Sequence, residues 1–289
     1  KKQDMLLQYP YHTFSHCIDF MREAAIDPNV ISIKITLYRA AKNSKVINAL
    51  INAARNGKKV TVVIELQARF DEEANIKWGR LLQEEGINVL FGVPGLKVHS
   101  KVCLIERREN RKSVFYVNVS TGNYNEQTSH TYSDQALFTC NLQITKDAQK
   151  VFDFITNPLK NPDTEQLILS PFQTRNHFIK LIDLEIKNKK KGKPAAIMLK
   201  MNSLVDKALI EKLYEASKAG VPIRMIIRGI CQLKAGVKGL SENIQIISII
   251  DRYLEHSRVY RFENAGKPLF FISSADFMTR NLDVRVEVS

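Results

Sequence analysis

Leu96-Lys97-Val98-His99-Ser100-Lys101 recurs, at an offset of 157 residues from His99 to His256, as Tyr253-Leu254-Glu255-His256-Ser257-Arg258. Each copy continues as His-x-base-x4-Glu, giving His99, Lys101 and Glu106 in the first and His256, Arg258 and Glu263 in the second. In a strand, period-two alternation puts the histidine and the base on one face, so two polar groups aim at one place in each copy. A lone His-x-Lys arises often by chance, whereas two at equivalent positions of a repeat call for a shared cause. Neither position needs a cation for packing. If the copies are related by a pseudo-twofold axis, the imidazoles converge on a common site flanked by fixed positive charge, where a phosphoryl group fits.

Working outward, the repeat extends over most of the chain. Pro10-Tyr11-His12-Thr13 and Pro171-Phe172-Gln173-Thr174 open the copies, with His16 and His177 six residues past each proline. Both of these histidines read as packing or surface residues. Apolar runs at 30–38 and 195–201 predict buried strands. The helices that follow are marked by Ser44 and Gly57 in one copy, and by Ser203, Asp206 and Gly220 in the other. Second strands follow at 60–64 and 223–227. The copies then diverge: a helix around 76–82 in the first stands against a glycine-punctuated loop through Gly236 and Gly239 in the second. Small polar turns close the matched region, Ser120-Thr121-Gly122-Asn123 and Ser273-Ser274-Ala275-Asp276. Ser, Gly, Asn and Asp suit hydrogen bonds to phosphate oxygens and ordinary turns about equally.

Alternating strands and helices predict an α/β fold of two tandem domains, each a mixed sheet covered by helices. Turn signals at Asn157-Pro158 and Asn161-Pro162-Asp163 place the boundary near 160, giving domains 1–159 and 160–289. The Lys187 to Lys193 run reads as a solvated loop within the second domain.

The 289 residues carry 43 Lys and Arg against 30 Asp and Glu, a formal charge of +13 that suits polyanions. Cys17, Cys103, Cys140 and Cys231 show no CxxC or Cys/His spacing, which argues against a disulfide framework or structural zinc and for a reducing cytoplasm. No apolar run approaches the roughly 20 residues of a membrane-spanning helix, and no leader opens the chain. Lys1 at the start, and Ser289 directly after the strand-like alternation of Val284, Val286 and Val288, read as an excerpt of a longer protein.

Longer strings carry a family resemblance. Ile35-Thr-Leu-Tyr-Arg39, Ala68-Arg69-Phe-Asp-Glu72, Gly95-Leu-Lys-Val-His99-Ser-Lys101, Thr121-Gly-Asn-Tyr-Asn125, Lys200-Met-Asn-Ser-Leu-Val-Asp206, Arg228-Gly-Ile-Cys231, Gly239-Leu-Ser-Glu-Asn243 and Leu254-Glu-His-Ser-Arg258 resemble the bacterial polyphosphate kinases that autophosphorylate on histidine. The paired His-x-base motif is similar to that of the wider phospholipase D-like superfamily. The resemblance spans nearly the whole chain, and many strings in one order make it more specific than the histidine pair alone.

It implies two phospholipase D-like domains and reversible transfer of the ATP γ-phosphoryl group to inorganic polyphosphate through phosphorylated His99. His256 assists at the nucleotide phosphates or as proton donor and acceptor. Tyr132 and Arg228 fall on nucleotide contacts, Arg285 on a further phosphate contact, and Arg39 and Arg69 where the family is described as holding Mg2+. An arginine has no lone pair for a cation, so these two read as gripping phosphates that carry the metal. Lys101 and Arg258 supply charge, and Glu106, Glu263 and Asn123 orient their neighbours. ATP, ADP and polyphosphate are the expected partners, with no nucleic acid. A cytoplasmic homo-oligomer is expected, with room for peripheral membrane association. Family members carry further N-terminal domains, including part of the nucleotide site.

The departures are glutamate at 106 and 263 where the superfamily has aspartate, Arg258 in place of lysine, and Val98 and Ser100 where the family favours threonine and alanine. A phosphodiesterase or nuclease acting on a diester, and a non-catalytic polyanion-binding module, are the competing readings.

Overall fold

The computed structural model describes residues 3–66, 68, 72–159 and 161–289. Arg69 lies outside the described residues. The chain forms two compact units, Lys1–Leu167 and Ile168–Ser289.

In the first unit the order is β1 (Met5–Tyr9), α1 (Ser15–Ile26), β2 (Val30–Leu37), α2 (Lys45–Arg55), β3 (Lys59–Ile64), α3 (Glu72–Glu84), β4 (Asn88–Leu90), β5 (Lys97–Val98), β6 (Val102–Glu109), β7 (Lys112–Ser120), β8 (Tyr132–Thr139) and α4 (Leu142–Thr156). The sheet runs β1-β8-β7-β6-β2-β3-β4, with β2, β3 and β4 parallel and the pairings from β2 through β6, β7 and β8 to β1 antiparallel. Ile33 and Ile35 of β2 join α1 and α2 in one buried cluster with Met21, Ile47 and Leu50. Lys34, between them, turns to the other face and reaches Asp153 of α4 at 3.9 Å, so helices cover both faces. The Ser44 hydroxyl caps α2 by accepting from the Ile47 amide (3.2 Å), worth about 1 kcal/mol. Gly57, at φ +77°, ends it in the left-handed region open to glycine.

The second unit holds β9 (Leu169–Ser170), α5 (Thr174–Lys190), β10 (Ile197–Met201), α6 (Lys207–Lys218), β11 (Ile223–Ile227), β12 (Ile244–Ile247), β13 (Leu254–Glu255), β14 (Arg258–Phe262), β15 (Leu269–Ser273), α7 (Thr279–Asp283) and β16 (Arg285–Val288). Its sheet order, β12-β11-β10-β14-β15, repeats β4-β3-β2-β6-β7 of the first unit, with the same parallel and antiparallel pairings. Register agrees residue by residue. Ile33 sits between Val60 and Ile105 as Ile197 sits between Ile223 and Phe262. No counterpart of α3 follows β11 among the described residues.

Two readings change. The Lys187 to Lys193 run is not a loop throughout, because α5 extends to Lys190 and Lys187, Lys189 and Lys190 form its last turn. Cations there complement the negative end of the helix dipole. The histidines also do not sit inside a continuous strand: β5 stops at Val98 and β6 starts at Val102, and β13 stops at Glu255 before β14. Of the equivalent histidines past each proline, His16 is an exposed residue of α1, and His177 packs against Phe178 and Phe271. The compact units part a few residues beyond the Asn161-Pro162 turn, where the Asp147 carboxylate of α4 accepts from the amides of Glu165, Gln166 and Leu167.

Candidate functional site

In the first unit, residues 99–101 form a short break between strands, and its three carbonyls and the flanking amides of Val98 and Val102 are all hydrogen-bonded. The Thr36 hydroxyl donates to the Ser100 carbonyl (2.7 Å) and accepts from the Val102 amide (3.1 Å). The Glu65 carboxylate accepts from the Val98 amide (2.9 Å), and the Ser120 amide donates to the Lys101 carbonyl (2.9 Å). Lys101 turns back so that its ammonium donates to the carbonyl of His99. His99 is buried to 8% exposure and Lys101 to 1%. The Tyr38 ring meets the His99 imidazole edge-on at 4.8 Å and lies 5.3 Å from the Lys101 Nζ, a cation-π contact that strengthens on desolvation. Arg39, half-buried, approaches the same ring at 5.8 Å. The imidazole thus packs edge-on against an aromatic wall, and a buried cation spans that wall and the histidine's own carbonyl.

The turn after β7 closes on β8. The Thr121 hydroxyl donates to Asp134 (2.6 Å) and accepts from the Gln135 amide (3.0 Å). A Cβ at Gly122 would stand 2.3 Å from Asp134 Oδ2, so only glycine fits there. Among the described residues, the Ser100 hydroxyl and Asn123 Oδ1 are buried with no hydrogen-bond partner, a state that costs about 1–3 kcal/mol each.

In the second unit the histidine joins a polar network. Arg258 approaches His256 Nε2 at 3.2 Å and donates to the His256 carbonyl (2.9 Å), as Lys101 does to that of His99. Asp276 meets Arg258 at 3.1 Å and accepts from the backbone amide of Asn202 (2.7 Å) and from its side chain (3.3 Å). Burial would raise the Asp276 carboxyl pKa, but the charge and hydrogen bonds of Arg258 and the bonds from Asn202 hold it at about 2. Asn202 Oδ1 in turn accepts from Arg228 Nε (2.6 Å). His256, Arg258 and Arg228 are therefore brought together, with Asn202 and Asp276 as the groups that orient them. Gly229 lets this corner close, since a Cβ there would meet the Asn202 carbonyl oxygen at 2.9 Å.

The other expected residues divide. Tyr132 opens β8 and Arg285 opens β16, both half-buried. Glu106 accepts from the hydroxyls of Ser32 (3.0 Å) and Ser113 (2.7 Å), and Glu263 pairs with Arg261 (2.5 Å). Glu106 lies within β6 and Glu263 just past the end of β14, and these bonds tie them to neighbouring side chains. In the second unit the orienting carboxylate is Asp276, whose turn the sequence left equally open to a phosphate contact or an ordinary turn. Tyr38, Glu65, Asn75 and Asn202 were also missed as functional groups. A signal existed in the register: the strands end in matched pairs, Leu37 beside Ile64 and Met201 beside Ile227, so Tyr38 corresponds to Asn202 and Glu65 to Arg228.

Two sequence families match in tandem, "Polyphosphate kinase C-terminal domain 1" over residues 1–161 and "Polyphosphate kinase C-terminal domain 2" over residues 167–289. The chain belongs to the polyphosphate kinase family. It is 50% identical over 289 residues to polyphosphate kinase of Escherichia coli (strain K12), covering 100% of this chain and 42% of that one. Polyphosphate kinase from Porphyromonas gingivalis is similar in structure with a TM-score of 0.89 at 41% identity, covering 99% of this chain and 47% of that chain. Phosphatidylserine synthase of Haemophilus influenzae, at 10% identity, TM-score 0.64 and coverage of 99% and 81%, shares the fold, which is the phospholipase D-like α/β architecture expected. The chain spans less than half the length of the curated polyphosphate kinases it matches.

The resemblance implies Mg2+. Among the described residues no group of three or more His, Cys, Asp or Glu converges, and the guanidinium of Arg39 offers no lone pair. No helix of the described residues is long and apolar enough to cross a membrane.

Proposed function

We propose that this chain is the catalytic region of an ATP:polyphosphate phosphotransferase that works through a phosphohistidine at His99, with residues 1–159 and 160–289 as its two catalytic domains. The observation that carries the reading is the His99 imidazole packed against Tyr38, with Lys101 bound to the His99 carbonyl, on a strand break whose main chain is held by Thr36, Glu65 and Ser120. A nucleophile for in-line attack needs this fixed placement, because phosphoryl transfer is catalysed mainly by positioning and charge stabilisation.

Donor and acceptor are both polyanions, and a covalent relay avoids holding them face to face. The neutral imidazole lone pair of His99 forms an N–P bond to the γ-phosphorus while the bond to the bridging oxygen breaks and ADP leaves with the electron pair. A terminal oxygen of polyphosphate then attacks the same phosphorus, the N–P bond breaks, and the imidazole is restored. The labile phosphoramidate lets the sequence run in both directions. His256, oriented by Arg258, serves the nucleotide phosphates or moves a proton. Arg228, Tyr132 and Arg285 contact nucleotide and phosphate, and Arg39 and Arg69 grip phosphates. Through those phosphates Arg39 and Arg69 would hold any Mg2+, which would supply further charge neutralisation. The buried Ser100 hydroxyl and Asn123 amide oxygen favour the reading, as polar groups beside this turn that a bound ligand or its water would satisfy. We place the protein in the cytoplasm as a homo-oligomer.

The test uses the full-length protein with γ-labelled ATP. Acid-labile label is expected on His99 and absent from His99→Ala. Label accumulating in His99→Ala as it does in the wild type removes the assignment.

A further inference from the structure

The duplicated fold contains its own control. Where the second unit has Arg228, directly after β11, the first has Glu65 directly after β3. Glu65 is buried to 5%, and its carboxylate accepts from the amide of Val98, the residue before His99 (2.9 Å). Its own carbonyl accepts from the Asn75 side chain (2.9 Å), which also donates to the Tyr38 carbonyl (3.0 Å). Asn75, buried to 3%, belongs to α3, the helix without a counterpart in the second unit. One amide therefore ties the ends of β2 and β3 together, one strand leading to the ring that walls the imidazole and the other to the carboxylate that pins its main chain.

A purely architectural need would appear in both units, since both build the same strand pair in the same register. The second unit builds it with an arginine turned to Asn202 instead. We propose that Glu65 and Asn75 are positioning residues for His99, and that α3 is a buttress specific to the lobe carrying the nucleophile. This deepens the phosphohistidine reading and rests on it. Glu65 acts as a hydrogen-bond acceptor to the Val98 amide, and Asn75 holds Glu65 and Tyr38 at a fixed spacing. An error near 1 Å in a nucleophile's placement costs about 10²-fold in rate.

The test compares wild type, Glu65→Ala, Glu65→Gln and Asn75→Ala in the full-length protein. The rate constant for label transfer from γ-labelled ATP to His99 is measured beside the Kd for ATP and the hydrogen exchange of the Val98 amide. Glu65→Ala and Asn75→Ala are expected to slow labelling about 10²-fold with the Kd for ATP changed less than about threefold, and to speed exchange at Val98. Glu65→Gln keeps an accepting oxygen and should stay within about threefold of wild type. Labelling by Glu65→Ala at the wild-type rate overturns the proposal, as does a Glu65→Gln protein as slow as Glu65→Ala. If Glu65→Ala does not fold, Asn75→Ala carries the same decision. A wild-type protein that takes no label on His99 defeats the phosphohistidine reading instead, and the exchange at Val98 still reports whether Glu65 holds that amide.

Discussion

The two histidine sites share a backbone and differ in charge. In both, the base two residues on turns back to the histidine's own carbonyl, Lys101 in the first unit and Arg258 in the second. Beside His99 stand an aromatic ring and a buried ammonium, and the turn after β7 carries a neutral amide, Asn123. Around His256 the corresponding turn supplies a carboxylate, Asp276, which neutralises Arg258 and organises Asn202 and Arg228. The two units share the turn of a basic side chain onto the histidine's carbonyl and differ at matched positions: an aromatic ring in one, a charged hydrogen-bond network in the other.

The largest effect expected from this difference separates the imidazoles. His99→Gln should eliminate the phosphohistidine, lowering label by more than about 10⁴-fold, while His256→Gln should leave His99 able to take label at a rate about 10²–10⁴-fold slower. Equal and complete loss of label in both variants would break the distinction. Next in size is the buried pair of the second unit. Asp276→Ala leaves Arg258 without its counter-charge and should lower unfolding free energy by about 3–5 kcal/mol in urea titrations.

The pH dependence follows with its sign fixed. The Asp276 carboxyl sits at about 2 in the folded chain, below its ordinary value. Its stabilisation is therefore complete above the unfolded value near 4 and is lost as pH falls toward 2, an effect of about 2 kcal/mol. Urea midpoints measured down this range should drop less steeply in Asp276→Ala than in wild type. The smallest contrast lies in the turns. Gly122→Ala forces a Cβ against the Asp134 carboxylate and should cost about 2 kcal/mol, whereas Ala275→Gly at the matching position should cost about 1 kcal/mol or less, both read by thermal unfolding.

Much of this was visible along the chain because it depends on local periodicity. Val60 to Ile64 and Ile223 to Ile227 read as strands from their apolar β-branched runs, and Ser44 and Asp206 marked helix starts by their capping chemistry. The histidine pair was visible because duplication wrote it twice. Glu65 and Asn75 were not: a carboxylate after a strand reads as solvated, and an asparagine near a helix start reads as a surface residue, until the folded chain brings Val98 and Tyr38 beside them. The lysines of 187–190 misled in the opposite direction, since charge density suggested a loop where a helix end accommodates it.

The order of residues alone specified a duplicated α/β chain, the family and the two imidazoles, because spacing and strings survive without coordinates. Which carboxylate serves which cation was decided in three dimensions. Asp276 reaches Arg258 only through the hairpin of β14 and β15, and Glu65 reaches Val98 only once the chain from β3 has folded back through α3 and β4 to β5, and a hydrogen bond formed at 3 Å leaves no mark on sequence separation.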